Sequence, residues 1–425
     1  MKIIKHNYFL TFFFLIPFIL FNKYSWIYFF DSDGILFLWQ NFFLHFFSII
    51  FLISSLLFFI NRKINYLKFF FKIIFYNFFF LIFFVICFEL FFGNWFTKES
   101  IQNLNIIRNK KINYNLKGIY EWNDDKISYS RDKWGLRGLY PNINKIDILT
   151  IGGSTTDQHY ISDGFTFQDI MHQKFLENNK NVFIVNAGID GQSTYGHILN
   201  FKKWFPKIDG LNVDYIMFYV GINDFYIEDK NSYDDLIYEK KNIKNLIKSK
   251  SILFDLYRLL EGILEANAYG LIHDISNENK NFSYSNWVSK PNLENHKEIM
   301  KNKLEAYEKR LNILCDETYK IGAKPIFVTQ SQKRTYDYID NKIIGVPVFG
   351  NFNGNQLNGL DYRLMIKMMN LRVKKVSQLR NCIFIDLENE LEFDLKNDFY
   401  DNSHNTPSGS QKIGNYLYEE IKELF

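Results

Sequence analysis

From residue 146 to the end of the sequence, short apolar runs alternate with amphipathic helical patterns. These runs are rich in β-branched and aromatic residues and cover residues 146–151, 181–185, 213–220, 324–329 and 382–387. Their apolar residues are continuous, which is typical of strands buried on both faces of a parallel sheet. The alternation of such strands with helices predicts a three-layer α/β fold with a parallel sheet.

Two of the helical patterns can be assigned to residues. One apolar face has spacings of four, three, four and three and consists of Met300, Leu304, Tyr307, Leu311 and Leu314. Pro407 is placed to open a last helix, because proline is favoured at the first helical position. The apolar positions of that helix are Ile413, Leu417 and Ile421. Both patterns predict helices that pack one face against the sheet.

The first 95 residues differ in composition and hold most of the 46 phenylalanines. Apolar stretches cover residues 8–21, 35–60 and 73–92, and the last two reach the roughly 20 residues that cross a bilayer. No small-x-small cleavage site follows the first stretch, which favours an uncleaved span. We therefore predict about three transmembrane helices in residues 1–95, a connector in residues 96–144 and a catalytic domain in residues 145–425.

Basic residues indicate the orientation of these spans. They flank the first span on its N-terminal side and fill the loop between the second and third, at Lys2, Lys5, Arg62, Lys63 and Lys68. The positive-inside rule places both regions in the cytoplasm. With three spans, everything after Phe92 then lies outside, in the periplasm or at the cell exterior. If the first stretch does not span, the orientation inverts and the catalytic domain is cytoplasmic.

Long polar stretches interrupt the α/β pattern. Residues 226–296 are polar and aromatic, and residues 331–360 are rich in Gly and Asn. Insertions of this length after a strand form a lid or a substrate wall, or else are decoration without substrate contact. In the connector, the glycine-containing residues 134–138 indicate either a turn near the mouth of a site or a plain structural turn.

Charge and cysteine content exclude some classes of protein. The formal net charge is only +4, and no dense basic block indicates a nucleic-acid partner. The three cysteines, Cys87, Cys315 and Cys382, have no spacing typical of a disulfide framework or a metal site. We expect all three to be small, buried apolar residues.

A serine and a histidine stand after the first and last predicted strands. Ser154 follows two glycines, and His404 follows Asp401 in an Asp-x-x-His sequence. A hydroxyl becomes a good nucleophile when an imidazole takes its proton and a carboxylate orients that imidazole. The pattern predicts Ser154 as nucleophile, His404 as general base and Asp401 as its partner. Taken singly, Ser154 could be a helix cap and His404 a surface residue.

Two further residues follow the strands between these ends. Gly188 comes after the second predicted strand, and Asn223 after the third. Because the carboxyl ends of parallel strands meet at one edge of the sheet, both could face Ser154. We predict an oxyanion hole made by the backbone N–H groups of Ser154 and Gly188 and the Asn223 amide. The alternatives are a strand-ending glycine and a capping asparagine.

Other histidines and aspartates lie near these positions. Unlike His404, the histidines His159, His172 and His197 do not follow an acidic residue by three positions in a loop after the last strand. We therefore expect structural roles for these three. Aspartates that adjoin the predicted site residues are expected to cap helices or hold loops, namely Asp157, Asp190 and Asp224.

In combination, the four segments resemble the blocks of the SGNH/GDSL hydrolase superfamily. The matching segments are Gly152-Gly153-Ser154, Asn186-Ala187-Gly188, Gly221-Ile222-Asn223-Asp224 and Asp401-Asn402-Ser403-His404. The resemblance covers about residues 145–425 and implies a flavodoxin-like sheet, the site roles given above, and no metal or organic cofactor. One departure is Gly153, which stands where the family often has Asp.

The resemblance implies a membrane-anchored serine esterase that removes acyl groups, O-acetyl groups above all, from envelope carbohydrate or lipid. Its partners would be an ester-bearing small molecule, glycan or lipid and the bilayer, with no nucleic acid. One alternative is an O-acyltransferase that passes the group to a glycan hydroxyl. A second alternative is a non-catalytic assembly subunit. The sequence does not indicate an oligomeric state.

Overall fold

The computed structural model describes residues 65–93, 95–96, 101, 104–116, 119–120, 126–227, 284–331, 335–352 and 354–425, with isolated positions among residues 15–56 and 234–257. The chain forms two compact units. One unit consists of Met1–Lys98 with Tyr238–Tyr269, and the other of Glu99–Ile237 with Gly270–Phe425.

The first unit contains one long helix, α1, at Asn65–Phe92. Its segment Ile74–Phe92 has 19 residues with a mean hydropathy of 2.3, which is long and apolar enough to cross a membrane. Large side chains along it are exposed, for example Phe80 and Phe91. The third predicted span lies on this helix. The predicted spans at residues 8–21 and 35–60 lie largely outside the described residues.

The second unit carries the described strands and most of the described helices. Its described strands are β1 Lys110–Asn115, β2 Lys126–Arg131, β3 Ile146–Gly152, β4 Ile184–Asn186, β5 Val213–Tyr219, β6 Lys324–Val328, β7 Tyr336–Ile339, β8 Lys342–Gly345, β9 Gly350–Phe352, β10 Asn355–Leu357 and β11 Ile383–Ile385. Its described α-helices are α2 Ser154–Asp157, α3 Phe167–Glu177, α4 Thr194–Leu199, α5 Ile222–Tyr226, α6 His296–Lys320, α7 Gly359–Leu379, α8 Leu387–Glu390 and α9 Pro407–Ile421.

A parallel sheet of five strands forms the centre of this unit, in the order β11-β6-β5-β3-β4. Along the chain this is the flavodoxin-like order 2-1-3-4-5, in which ligands bind where the strand order reverses. That point lies between β3 and β5, whose Gly152 and Tyr219 are paired in register. Ser154 and Asn223 come directly after these two strands, so the topology brings them to one edge.

Helices cover both faces of the sheet, which confirms the expected α/β layering. On one face, α6 and α7 pack against buried residues of β5 and β6 such as Phe218 and Phe327. On the other face, α3 and α9 bury Phe167, Ile413 and Leu417. The predicted apolar face of α6 is buried at every position, and Pro407 stands at the start of α9. Both helical patterns are therefore confirmed.

The expected connector over residues 96–144 needs correction. Residues 110–131 contain the antiparallel hairpin β1–β2, which belongs to the same compact unit as the parallel sheet. The sequence did not indicate β1 because Lys110–Asn115 is mainly polar and gives no apolar run. The hairpin places Arg131, the last residue of β2, beneath the serine-bearing turn.

The insertion at residues 331–360 contains two further hairpins, β7–β8 and β9–β10. Most of the insertion at residues 226–296 lies outside the described residues. Its described end includes Val288, which forms an antiparallel bridge with Gly345 of β8. The two insertions therefore meet each other in the second unit.

Candidate active site

Ser154, His404 and Asp401 lie in one continuous chain of hydrogen bonds. The Ser154 Oγ is 2.7 Å from His404 Nε2, and His404 Nδ1 is 2.7 Å from Asp401 Oδ2. The serine and histidine are 250 positions apart in sequence, so this contact depends on the whole sheet. The arrangement is that of a serine nucleophile, its base and the group that orients the base.

The loop before α9 fixes the histidine. Asp401 Oδ1 accepts the backbone N–H groups of Ser403 at 2.8 Å and His404 at 2.7 Å, which holds the carboxylate in place. The ring of Tyr400 stacks on the His404 imidazole with centroids 5.6 Å apart and planes 10° apart. These contacts leave Nε2 directed at the serine.

The same contacts shift the proton affinities of the pair. Burial alone raises the pKa of Asp401, but the hydrogen bond and charge of His404 outweigh burial and lower it below its usual range. For His404, burial lowers the pKa, and the Asp401 carboxylate, with a smaller contribution from Asp190, raises it above its usual value. A neutral imidazole held by an ionised carboxylate is a strong proton acceptor.

The pH dependence of activity follows from the raised pKa of His404. General-base catalysis needs the neutral imidazole, so kcat/KM should fall as pH drops through a midpoint above the ordinary histidine value of 6.5. In Asp401→Asn the carboxylate is lost and burial remains, so the acid midpoint should move to lower pH, while the plateau falls by up to about 10⁴-fold. Asp190→Asn is the matched control and should shift the midpoint less, in the same direction. An unchanged midpoint in Asp401→Asn contradicts this role of the carboxylate.

Two glycines allow the turn that presents Ser154. A Cβ on Gly152 would clash with the Thr156 side chain and the Tyr219 carbonyl, and one on Gly153 would overlap the Asn223 amide nitrogen. Neither glycine has a positive φ, so the requirement is steric. A side chain at Gly153 would therefore meet Asn223, which gives the glycine at this position a steric reason.

Asn223 lies beside the nucleophile on the first turn of α5. Gly221, which precedes this helix, has a φ of 134°. Glycine adopts this backbone conformation readily, and residues with a Cβ rarely do. The Asn223 Nδ2 donates to the Gln192 carbonyl at 2.9 Å, which fixes the plane of the amide. An amide NH₂ carries two hydrogens, so one remains for an oxyanion formed at Ser154.

Gly153→Ala tests this close approach. The added methyl should displace the Asn223 amide, and we expect a loss of about 10²–10³-fold in kcat, the scale for losing one oxyanion donor. Asn223→Ala should give a similar loss, and the double variant should lose little more, because both changes remove the same donor. Full activity in Gly153→Ala, or additive losses in the double variant, would contradict the arrangement.

Gly188 does not fit its predicted role. Its N–H donates to the Asn186 side-chain Oδ1 at 2.8 Å, and its carbonyl accepts from Arg131 at 2.5 Å. A Cβ at this position would lie 2.5 Å from the Asp157 amide nitrogen, so the glycine is required by backbone packing. The next part of the loop lies nearer the nucleophile, because the Gln192 carbonyl approaches Gly153. The donor predicted at Gly188 is therefore corrected.

A buried arginine, not predicted from the sequence, supports the site from below. Arg131 Nη2 contacts Asp157 Oδ1 at 2.5 Å, and both side chains are only 3% exposed. Its other nitrogens donate to Tyr129 Oη at 2.9 Å and to the Asn186 carbonyl at 3.4 Å. Burial raises the pKa of Asp157, but the Arg131 charge outweighs it and lowers that pKa well below the usual range. The pair ties the helix of the nucleophile to β2 and the 186–188 loop.

Arg137 supports the same region from the turn at residues 134–138. Its Nη1 donates to the carbonyls of Asp157 and Gln158 at 2.8 and 3.0 Å, and its Nη2 to that of Ile161 at 2.5 Å. These carbonyls are at the end of α2 and in the loop after it, where helical partners are lacking. The turn is therefore structural support for the site.

The three histidines near the site in sequence have partners away from Ser154. His159 lies 3.7 Å from Asp157 Oδ2, and His172 Nδ1 lies 2.7 Å from a main-chain carbonyl. His197 contacts Gln192 Oε1 at 3.0 Å, and burial lowers its pKa to about 3. These contacts agree with the structural roles expected for them.

Asp224 and Asp190 adjoin the site residues in sequence but have different surroundings. Asp224 is buried, accepts the Thr194 backbone N–H at 3.1 Å and pairs with Arg310 Nη2 at 3.0 Å, so it holds the start of α4. Asp190 is exposed and acts on His404 through its charge. The first agrees with the expected loop-holding role, and the second lies at the edge of the site.

No family model and no curated protein matches the sequence. Solved structures similar to it include an acetylxylan esterase from Geobacillus stearothermophilus, at 16% identity and a TM-score of 0.36, covering 65% of this chain and 96% of that chain. An α/β hydrolase from the metagenome of Lake Arreo has 14% identity and a TM-score of 0.36, with 67% and 100% covered. A protein assigned to the lipolytic G-D-S-L family from Desulfitobacterium hafniense has 10% identity and a TM-score of 0.34, with 64% and 98% covered.

Proposed function

We propose that this protein is a membrane-anchored serine esterase that hydrolyses acyl esters, O-acetyl esters in particular, on carbohydrate or lipid of the cell envelope. The observation that carries the proposal is the chain of two 2.7 Å contacts from Ser154 through His404 to Asp401. A hydroxyl in this setting has both the base and the oriented tautomer that nucleophilic attack requires.

The reaction would proceed in two halves. His404 Nε2 takes the Ser154 proton as Oγ attacks the acyl carbonyl, and the resulting imidazolium is stabilised by Asp401. His404 then gives that proton to the leaving alcohol, which leaves the acyl group on Ser154. In the second half, His404 takes a proton from water as that water attacks the acyl carbonyl. It returns the proton to Ser154 Oγ as the bond to Oγ breaks and the carboxylic acid leaves.

Negative charge develops on the former carbonyl oxygen in both halves. We assign its stabilisation to the backbone N–H of Ser154 and the Asn223 amide, which the Gln192 carbonyl holds in plane. Such preorganised donors act where charge forms and require no rearrangement during the reaction.

Anchoring is supported by α1, whose segment Ile74–Phe92 has the length and apolarity of a span. A helix of this kind would keep the site close to a bilayer, where the esters of envelope glycans and lipids are found. The proposal extends the single span to about three, with the catalytic domain outside the cytoplasm.

Release of free acetate tests the reaction. The full-length chain in detergent is incubated with an O-acetylated glycan, with and without a glycan acceptor, beside its Ser154→Ala variant. We expect acetate release by the wild type alone, unaffected by the acceptor. Equal turnover by both forms removes the enzyme proposal. Acceptor-dependent acetylated product without free acetate replaces hydrolysis by transfer.

Reporter fusions test the orientation. Alkaline phosphatase joined after Phe92 folds only in an oxidising exterior compartment, whereas a fluorescent protein at the same junction reports a cytoplasmic location. We expect phosphatase activity and no fluorescence. Fluorescence without phosphatase activity contradicts the outward placement of the catalytic domain.

A further inference from the structure

Two cysteines that the sequence separates by 67 positions lie side by side in the second unit. Cys315 is on α6, Cys382 comes immediately before β11, and their Sγ atoms are 3.2 Å apart. The expectation that all three cysteines are buried is confirmed for Cys315 and corrected for Cys87 and Cys382, which are only partly buried. A disulfide needs a sulfur–sulfur distance of about 2.05 Å, so roughly 1 Å of approach separates the thiols from a bond.

The surroundings of the two thiols differ in a way that favours stepwise oxidation. Cys315 is fully buried, and Cys382 is partly exposed and lies 3.9 Å from the Tyr319 hydroxyl. Hydrogen bonding to Cys382, together with burial, raises the pKa of Cys315. The bond from Cys315 outweighs burial and lowers the pKa of Cys382, with the Tyr319 hydroxyl and the Arg380 charge in support. Cys382 is thus the more accessible of the two thiols and the one that loses its proton more readily.

We propose that Cys315 and Cys382 form an intramolecular disulfide when the protein meets a disulfide oxidant, which closes a covalent link between α6 and the head of β11. The oxidant is a dithiol–disulfide exchange partner, either a small disulfide or a disulfide-bearing protein. The inference does not depend on the esterase activity proposed above, because none of the triad residues takes part.

The oxidation consists of two exchange steps. The Cys382 thiolate attacks one sulfur of the oxidant, which breaks the oxidant's S–S bond and releases its first thiolate. Cys315 then loses its proton and attacks the Cys382 sulfur, which forms the internal bond and releases the second thiolate. Two electrons pass from the cysteines to the oxidant, and the two cysteine protons end on its two thiols.

The link would act on a weak part of the sheet. β11 has three residues and pairs with β6 alone among the described strands, so it is a short edge strand. The triad loop with Asp401 and His404 follows it in the chain. Closing the 67-residue interval removes conformational freedom from the unfolded chain, which stabilises the folded state. Reduction should therefore lower the melting temperature by roughly 5–10 °C.

Oxidation with a defined probe tests the proposal. The full-length protein in detergent is equilibrated with oxidised glutathione, quenched with acid, alkylated under denaturing conditions and digested for mass spectrometry. We expect a Cys315–Cys382 peptide pair two hydrogens lighter than the two thiol peptides, with Cys87 alkylated as the internal control. Alkylation of both cysteines, a stable glutathione adduct on Cys382 with Cys315 alkylated, or a bond between two chains would each overturn the proposal.

Cysteine variants test the order of the two exchange steps and the effect of the link on stability. Cys315→Ser removes the resolving thiol, so Cys382 should accumulate the glutathione adduct. The double variant Cys315→Ser, Cys382→Ser should show no change of melting temperature on reduction. The melting temperature of the oxidised wild type should fall by roughly 5–10 °C on reduction. An equal shift on reduction in both proteins contradicts the link. The mass measurement on the wild type stands on its own if a variant does not fold.

Discussion

Ser154→Ala should lower kcat for ester hydrolysis by about 10⁴-fold or more, because loss of a triad nucleophile removes the covalent route altogether. His404→Gln should give a loss of the same order, since the hydroxyl then has no base at 2.7 Å. The double variant should be hardly worse than either single one, because residues that act as one unit are strongly non-additive. Steady-state hydrolysis of a chromogenic acetyl ester by the detergent-solubilised full-length chain measures all three.

The control for this series is a histidine that is close to Ser154 in sequence but is not part of the triad. His159 comes five residues after Ser154 but contacts Asp157 instead, so His159→Gln should keep kcat within about tenfold of the wild type. Loss of activity in His159→Gln with retention in His404→Gln would reverse the assignment of the base. Retention of activity in Ser154→Ala would remove the nucleophile.

Arg131→Met should destabilise the fold by about 3–5 kcal/mol, the scale for breaking a buried ion pair and leaving one charge behind. Both partners are 3% exposed, and Met leaves the Asp157 carboxylate and three main-chain carbonyls without the guanidinium. Because Asp157 is on the helix that starts at Ser154, activity should fall at temperatures well below the new melting point. Urea or thermal unfolding of the full-length chain in detergent measures the change.

Two comparisons show whether the effect comes from the buried pair. In Arg131→Met combined with Asp157→Asn no net charge is left buried, so the double variant should be more stable than Arg131→Met alone. Arg372 pairs with Glu308 at 2.7 Å but is 32% exposed, so Arg372→Met should change stability by about 1 kcal/mol or less. Equal effects of the two Arg→Met changes would contradict the buried role of Arg131.

The central sheet was predictable because its strands are short apolar runs rich in β-branched and aromatic residues, which is typical of buried strands. β3 and β5 lie within one residue of the predicted runs, since both are continuous apolar segments bounded by glycine. β4 begins later than predicted because the Phe183 N–H donates to the Asp147 side chain at 2.6 Å. A hydrogen bond between one strand and a side chain of its neighbour leaves no pattern in the sequence.

The parts of the site that follow strand ends were predictable, and those that depend on side-chain contacts were not. Ser154 and Asn223 follow the neighbouring strands β3 and β5, so the topology brings these two together. His404 comes after the edge strand β11 and α8, and it reaches Ser154 through the loop before α9. Gly188 also follows a strand, but the Asn186 side chain takes its N–H, which its position in the sequence does not indicate. Arg131 is in a mainly polar strand within the expected connector, and its role emerges only when Asp157 is placed beside it.

The pairing of Cys315 with Cys382 illustrates the same limit. The interval of 67 residues matches no cysteine motif, and the two sulfurs meet only because α6 packs across the end of the sheet that carries β11. The predicted third membrane span is the opposite case. Its length and apolarity are properties of the sequence itself, and the described helix over Ile74–Phe92 keeps both.

The most direct test of the acyl-enzyme mechanism is the mass of the intact protein after reaction with an organophosphonate ester, which traps a serine activated by a neighbouring base. The account predicts one phosphonyl adduct per chain, located on Ser154 by peptide mapping. The adduct should be absent in Ser154→Ala and should form far more slowly in His404→Gln. An unmodified wild type, or an adduct on any other residue that persists in Ser154→Ala, would contradict it.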